Sequence, residues 1–226
     1  MKKHLLLLFT AVLFILPAGL RAQDVVQIGS GTLVSYAYPI HSSSAYSMSQ
    51  QIYTATEVGR SGSIYSIAFY NARHAITRNI DIYMTHTNLS EFNDHDDWVT
   101  VTATELVYSG NVEFLSNEWT TIELSTPFTY NGVDNLLITV DDNSGWSTSN
   151  EVVFLIYPTT NTTTMFRGNT WNSGTNPINY YGYPVTGKNQ IQLSFTPIEC
   201  FKPVGFRVSD VGSHSATLSW IAPDNA

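Results

Sequence analysis

The sequence predicts an all-β protein, built as an antiparallel β-sandwich of the jelly-roll type. Apolar side chains alternate with period two in about ten short segments, turn-forming residues separate these segments, and no segment has a convincing 3.6-residue period. Tyr, Phe, Ser, Thr and Asn are plentiful, and only 12% of the residues are charged, which is typical of strands. The β region covers about 170 residues, which is too long for an immunoglobulin-like sandwich.

The clearest strands lie in the middle of the chain. Residues 119–124 alternate between apolar and polar side chains, which predicts a strand with one buried face. Pro127 lacks a backbone donor, so the pairing of this strand should stop near it. The Asn131–Gly132 pair predicts a tight turn. Residues 135–140 are apolar on both faces, which predicts a central strand.

Shorter patterns predict the remaining strands. Residues 64–70 carry apolar groups on both faces and should be central, whereas residues 80–84 alternate and should be half exposed. Ser109–Asn111 should form a turn, and residues 168–188, which follow a short pairing segment, should form a long aromatic loop. The other predicted strands are residues 25–28, 33–36, 46–55, 98–101, 106–108, 112–114, 152–157, 165–167 and 191–195.

Residues 1–22 have the layout of a secretory signal peptide. A basic start precedes an apolar stretch over residues 5–20, Pro17 and Gly19 lie near its end, and cleavage is expected after Ala22. The alternative is a transmembrane anchor, for which the apolar stretch is short. We therefore expect the protein to be secreted or on the cell surface, with no membrane insertion after cleavage.

Charge and cysteine content exclude several classes of function. Cleavage after Ala22 would change the net charge from -8 to -11. An acidic chain is a poor ligand for nucleic acid or for anionic membranes, which both attract basic patches. Cys200 is the only cysteine, so neither an intrachain disulfide nor a cysteine-based zinc site can form. Its proline-rich surroundings predict a linker at residues 197–203.

Residues 204–226 resemble the opening of a fibronectin type III domain. The resemblance places Phe206 and Val208 on a first strand and Ala216, Leu218 and Trp220 on a second, with Trp220 as the core tryptophan. Two strands cannot bury their own apolar face. We therefore expect this chain to be the front of a longer protein or an incomplete gene product.

Several short phrases recur in order along residues 23–196. They are Ser49–Tyr53, Arg78–Asn79 leading into Ile82–Tyr83, His86–Thr87, Phe92, Asp97–Trp98, Val107–Gly110, Trp119–Leu124, Thr126–Gly132 and Asn135–Gly145. Together they resemble a jelly-roll adhesin module of the Bacteroidales, of the cleaved-adhesin type found in gingipain-like haemagglutinins. The resemblance implies an exported adhesive domain, and such modules often hold structural calcium. It does not specify an activity, because a shared fold carries function poorly.

Catalytic motifs are absent from the sequence, so we expect no enzyme activity. There is neither a Gly-x-Ser-x-Gly elbow nor a His-Glu-x-x-His motif. Glycoside hydrolysis needs only two carboxylates, but no acidic pair stands out among the loop residues. His86 is expected to pack or to form hydrogen bonds at a strand end rather than to act in catalysis.

Calcium is the cofactor that the sequence indicates most specifically. Asp141, Asp142 and Asn143 follow a strand and supply hard oxygen ligands, and Gly145 permits a tight loop. The alternative is a capped turn in which the Asp side chains accept backbone N–H groups. A second, weaker candidate contains Asp94, Asp96 and Asp97.

Exposed aromatic residues are the candidates for ligand binding. Trp171, Tyr180, Tyr181 and Tyr183 lie in a Gly- and Asn-rich region, and Trp146 adjoins the acidic turn. The alternative is that these aromatic side chains pack over the end of the sandwich.

These observations predict a non-catalytic, exported, adhesin-like module whose ligand is a glycan or an extracellular protein. The alternative is an accessory domain of a secreted peptidase or glycoside hydrolase with its catalytic domain elsewhere. The gene sequence downstream of codon 226 would distinguish the two.

Overall fold

The computed structural model describes residues 24–149, 152–169, 181–196 and 204–221. The predicted signal peptide, the predicted linker with Cys200, and the candidate ligand-binding residues Trp171 and Tyr180 lie outside these ranges. Within them almost all of the regular secondary structure is β-strand and the sheets are antiparallel, as the sequence predicts. In the same ranges, no helix has the length and apolar character needed to cross a membrane.

The described residues form two large sheets and a separate hairpin. Neighbouring strands of the first, seven-stranded sheet follow the order β1-β13-β4-β9-β12, with β7 also paired to β4 and β2 to β9. The second, six-stranded sheet has the order β11-β10-β3-β8-β5-β6, and β14 pairs with β15. The bounds are β1 Asp24–Ile28, β2 Leu33–Ser35, β3 Tyr46–Tyr53, α1 Ala55–Val58, β4 Gly62–Asn71, β5 Ile76–Thr87, β6 Leu106–Phe114, β7 Glu118–Tyr130, β8 Asn135–Asp142, β9 Phe154–Tyr157, β10 Thr164–Asn169, β11 Tyr183–Val185, β12 Lys188–Asn189, β13 Ile191–Phe195, β14 Val204–Ser209 and β15 Thr217–Ile221.

A shared apolar core holds the two large sheets together. Successive side chains of a strand point to opposite faces, so each strand contributes alternate residues to the core. The buried members of the core are at most 9% exposed, which confirms the sandwich class that the alternating pattern predicted. Its members include Ile64, Ile67, Phe69, Ile122 and Leu193 from the first sheet, and Ile80, Ile82, Met84, Ile138 and Val140 from the second.

The turn after β7 carries the chain from one sheet to the other. The pairing of β7 with β4 skips residues 124–127, as Pro127 predicts, and resumes at Phe128. Asn131 Oδ1 then accepts hydrogen bonds from the backbone N–H groups two and three residues later, at 2.9 and 3.1 Å. Gly132 has a φ of +73°, which glycine adopts without strain. The chain turns at Asn131–Gly132 as predicted, but residues 131–134 link two different sheets and do not form a two-residue turn. β8 is central in its sheet as predicted.

His86 packs against this turn. Its Nε2 accepts a hydrogen bond from the Asn131 backbone N–H at 3.1 Å. Its ring lies 4.9 Å from the Phe128 ring and stacks on the Tyr130 ring at 5.7 Å. These contacts confirm the structural role that the sequence predicted for His86.

The strand predicted over residues 98–101 is wrong. These residues belong to a loop, residues 88–105, that packs on the outer face of the six-stranded sheet. The Gln50 side chain satisfies the backbone groups of Val99 that a neighbouring strand would otherwise pair. Its Nε2 donates to Val99 O at 2.6 Å, and its Oε1 accepts from Val99 N at 2.9 Å. The apolar side chains that predicted a strand pack instead in a second cluster of Met48, Ile52, Phe92, Trp98, Leu137 and Met165.

The structure differs from the local predictions at three further places. Residues 109–111 do not form a turn, because β6 runs straight through them and Gly110 pairs with Ile80. The short helix α1 was not predicted. Its signal is a capping box, in which Glu57 N donates to Thr54 Oγ1 at 3.3 Å and Thr54 N donates to Glu57 Oε2 at 2.7 Å. Strands β11 and β12 also fall in the stretch predicted as a long loop.

Strands β14 and β15 form the hairpin expected near the end of the chain. Phe206 and Val208 lie on β14 and Leu218 lies on β15, as predicted. Their side chains are 62, 51 and 54% exposed. Their assignment to a fibronectin type III domain stays a prediction.

Replacement of Gly132 tests how tightly the turn between the sheets is built. A Cβ on Gly132 would lie 2.9 Å from Ser61 Cβ and 3.0 Å from Ser61 N. Gly59 has nearly the same φ, +71°, but its added Cβ would meet nothing closer than 3.8 Å. We expect Gly59→Ala to lower the free energy of unfolding by about 1 kcal/mol and Gly132→Ala by about 2–4 kcal/mol. Urea denaturation measures both, and equal effects would contradict this packing.

Candidate functional site

A buried ion pair organises the end of the sandwich where β8 finishes. Arg78 lies on β5 and Asp142 is the last residue of β8, and both side chains are fully buried. The Arg78 Nε and Nη2 groups donate to Asp142 Oδ2 at 2.8 and 2.5 Å. A buried charge pair is retained only when its hydrogen bonds are well satisfied, and this pair meets that condition.

Arg78 also fixes two loops that cross this end. Its Nη2 donates to the backbone carbonyl of Ser44 at 2.8 Å, and its Nη1 donates to that of Trp146 at 2.7 Å. The guanidinium carbon lies 4.9 Å from the centre of the Trp146 ring, within cation–π range. Trp146 remains 46% exposed, so the arginine holds an aromatic face toward solvent.

The candidate calcium ligands do not converge on one point. Asp142 faces inward and uses Oδ2 for Arg78, while its Oδ1 accepts from the Ser144 N–H and hydroxyl at 3.1 and 2.6 Å. Burial raises the pKa of Asp142, and the hydrogen bonds from Arg78 act in the opposite direction. Asp141 precedes Asp142 in β8, so its side chain points to the opposite face of the sheet.

Asp141 lies beside another carboxylate on the outer face of the six-stranded sheet. It is directly opposite Asp81, and Asn143 Nδ2 donates to Asp81 Oδ2 at 3.2 Å. Burial raises the pKa of Asp141 to about 6, the Asn143 hydrogen bond opposes this, and the Asp81 charge adds to it. Among the described residues, no group of three or more His, Cys, Asp or Glu side chains is placed to hold a metal ion. Calcium binding stays a prediction.

The second acidic cluster forms capped turns. Asp97 Oδ2 accepts from the backbone N–H groups of Asn93 and Asp94, at 2.5 and 3.0 Å. Asp94 Oδ1 accepts from the His95 N–H at 2.7 Å. These are the contacts that the alternative interpretation of the acidic clusters predicts.

Two of the candidate aromatic residues lie at the edge of the six-stranded sheet. Tyr181 is 71% and Tyr183 is 52% exposed. Arg167 Nη1 donates to the Tyr181 carbonyl at 2.7 Å, and its guanidinium carbon lies 5.8 Å from the Tyr183 ring centre. The Tyr183 ring also contacts Phe166 at 5.6 Å, and the Tyr181 ring contacts His95 at 6.4 Å.

The loop before β3 lies between Trp146 and the edge that carries Tyr181 and Tyr183. Ser44, which binds Arg78 through its carbonyl, places its hydroxyl 3.0 Å from His41 Nδ1. The His41 ring contacts the exposed Tyr36 ring edge-on at 5.6 Å. β10 approaches this loop so closely that a Cβ on Gly168 would lie 2.4 Å from Ser44 Oγ. Burial lowers the pKa of His41, and the charge of Arg78 adds to the effect, so the ring is neutral at pH 7.

We call this surface the aromatic rim; it comprises Tyr36, His41, Trp146, Arg167, Tyr181 and Tyr183. The structure therefore places three of the five predicted ligand-binding residues on this surface. Trp146 lies beyond the end of β8, and Tyr181 and Tyr183 lie at the β11 edge of the same sheet. Sequence reasoning missed the arginines and the loop with His41. The alternating pattern could have predicted that Arg78 is buried, because Arg78 lies two residues after Ile76 and two before Ile80 and therefore faces the same side of the strand.

Comparison with known proteins adds no assignment. No protein-family model matches the chain, and neither a curated protein nor a solved structure matches it. Its function must therefore be inferred from its own residues.

Asp141 should make stability depend on pH. Because its pKa is raised from 3.8 to about 6, the folded state binds more protons than the unfolded state between these values. Ionisation of Asp141 above pH 6 is thus destabilising. Asp141→Asn should raise the free energy of unfolding at pH 8 by about 1 kcal/mol, after allowance for partial exposure, and should have no effect near pH 4.

Denaturant titrations at the two pH values in calcium-free buffer measure this difference. Asp96→Asn is the control, because it removes the same charge from an exposed loop position. Stabilisation of similar size at pH 4 and pH 8, or destabilisation at pH 8, would show that burial of Asp141 has been misjudged.

Proposed function

We propose that this chain is a non-catalytic, exported binding module of adhesin type, which engages a glycan or an extracellular protein through the aromatic rim. The body would be a jelly roll of the cleaved-adhesin kind, and the hairpin after it would begin a fibronectin type III domain. Export through the predicted signal peptide would place the module outside the cell.

The observation that carries this proposal is the exposure of Trp146, beyond the end of β8, and of Tyr181 and Tyr183, at the β11 edge of the same sheet. Large aromatic side chains normally bury most of their area, so exposed ones that are also fixed in orientation suit ligand contact. Their positions are held by Arg78 and Arg167. Rigid aromatic anchors lose little conformational entropy on binding and are enriched among residues that dominate binding energy.

The chemistry of the rim supports a glycan or a polar protein surface. Aromatic faces are apolar platforms, and polar groups such as the His41 ring and the hydroxyls of Tyr181 and Tyr183 lie beside them. Nucleic acid is a poor candidate, because the chain has a net charge of -8 and the Arg78 charge is balanced by Asp142.

Alanine variants of the rim test the proposal. The purified chain is applied to an array of glycans and extracellular matrix proteins, and the dissociation constant is measured for any ligand retained. Trp146→Ala and Tyr183→Ala should each weaken retention about tenfold or more, since an aromatic anchor contributes about 2 kcal/mol. Trp119→Ala is the matched control, because Trp119 packs on Tyr70 on the other sheet.

Unchanged melting temperatures must accompany the loss, so that weaker binding is not caused by unfolding. Retention that is equal in all three variants would refute the rim as the binding surface. Failure of the whole array to retain the wild-type chain would refute the adhesive function.

A further inference from the structure

A polar pocket lies at the other end of the sandwich from the aromatic rim. Its volume is about 340 Å³, which falls in the range of about 300–1,000 Å³ that small-molecule sites occupy. The strand β3 connects the two ends, because it starts beside Gly145 and ends just before Thr54, which lines the pocket. The pocket is therefore distinct from the rim.

A buried ion pair forms one wall of this pocket. The Lys188 side chain is 1% exposed, and its Nζ donates to Glu57 Oε2 at 2.8 Å and to the Ile52 carbonyl at 2.6 Å. Nζ also lies 4.9 Å from the Tyr53 ring centre. Glu57 and Lys188 are the charged residues of the lining, so the pocket has no net charge.

Glu57 keeps an acceptor directed at the pocket. Its Oε2 accepts from the Thr54 N–H, the Thr54 hydroxyl and Lys188. Its Oε1 accepts from the Tyr157 hydroxyl at 2.8 Å, and a carboxylate oxygen can accept a second hydrogen bond. Burial raises the pKa of Glu57, but the hydrogen bonds from Lys188 and Thr54 outweigh burial and lower it, so the group is ionised at neutral pH.

Uncharged polar groups line the mouth of the pocket. Thr160, Asn161 and Ser90 are exposed there and supply hydroxyl and amide groups that both donate and accept hydrogen bonds. Pro158 and the Tyr157 ring add apolar surface. This combination matches a small molecule that carries several hydroxyl groups on an apolar ring.

We propose that this pocket binds one neutral hexose ring, either as a free sugar or at the end of a glycan, with a sugar hydroxyl donating to Glu57 Oε1. An anion would find the Lys188 charge already balanced by Glu57. A cation would find the Glu57 charge balanced by Lys188. A purely apolar ligand would leave the lining hydroxyl groups without partners.

Saturation-transfer NMR on the purified chain tests the proposal. The probes are glucose, galactose, mannose and N-acetylglucosamine and their methyl glycosides, each at about 10 mM, so that a site with a dissociation constant of about 1 mM would be mostly occupied. Inorganic phosphate and ammonium are the charged comparisons, which should not displace the sugar signal. A methyl glycoside that binds as well as its parent sugar indicates the end of a glycan, and one that fails to bind indicates a free sugar.

Blocking variants locate the signal. Ser90→Trp fills the pocket mouth and Asn161→Ala removes a polar contact, and both positions are exposed, so folding should be unaffected. We expect the sugar signal to fall at least tenfold in Ser90→Trp and to weaken in Asn161→Ala. It should persist in Ser116→Trp, a matched exposed position in the turn between β6 and β7, and in the rim variant Tyr183→Ala.

Three results would overturn the pocket proposal: no signal from any of the eight sugars, a signal that Ser90→Trp leaves undiminished, or displacement by phosphate or ammonium. A signal lost in Tyr183→Ala but kept in Ser90→Trp would assign the sugar to the rim. Since each site has its own variant, failure of the pocket leaves the rim proposal standing, and the reverse also holds.

Discussion

The buried pair of Arg78 and Asp142 is the interaction on which the aromatic rim depends. Removing two charges from water costs several kcal/mol per ion, and their attraction compensates only when the remaining donors and acceptors are satisfied. Here the arginine donates hydrogen bonds to two backbone carbonyls as well as to the carboxylate, and these bonds offset the loss of hydration. Those carbonyls belong to loops without regular secondary structure, so the same contacts that stabilise the charge also position the loops.

Buried charge recurs at the opposite end of the sandwich, where Lys188 and Glu57 pair. Between that pair and the core, Gln51 Nε2 donates to Asn189 Oδ1 at 2.7 Å and Asn189 N donates to Gln51 Oε1 at 2.7 Å, which links the two sheets. The single cysteine leaves no disulfide to perform this task within the chain. Directional hydrogen bonds thus fix the structure at the two ends of the sandwich, while the apolar core supplies most of the driving force for folding.

The sequence allowed the body to be predicted better than the site. Alternation identified β5 and β13, and a run apolar on both faces identified β8, because each of these patterns is local in the sequence. Arg78, the partner of Asp142, lies 64 positions earlier in the chain, and a local sequence pattern cannot predict such a contact. Adjacent acidic residues suggested one cation site, but Asp141 and Asp142 point to opposite faces of a strand that continues through both. The apolar residues at 98–101 looked like a strand, but Trp98, Val99 and Val101 all pack on the second cluster from a covering loop.

Hydrogen exchange of a charge-free variant tests most directly whether Arg78 builds the rim. In Arg78→Met/Asp142→Leu, apolar side chains replace the pair, so the sandwich should stay folded while both loop contacts are lost. We expect faster exchange at Gly145 and Thr148, whose N–H groups bond to the Ala45 and Ser42 carbonyls, and unchanged protection in the middle of β4 and β8. Unchanged protection at Gly145 and Thr148 would contradict the account, as would loss of protection throughout both sheets.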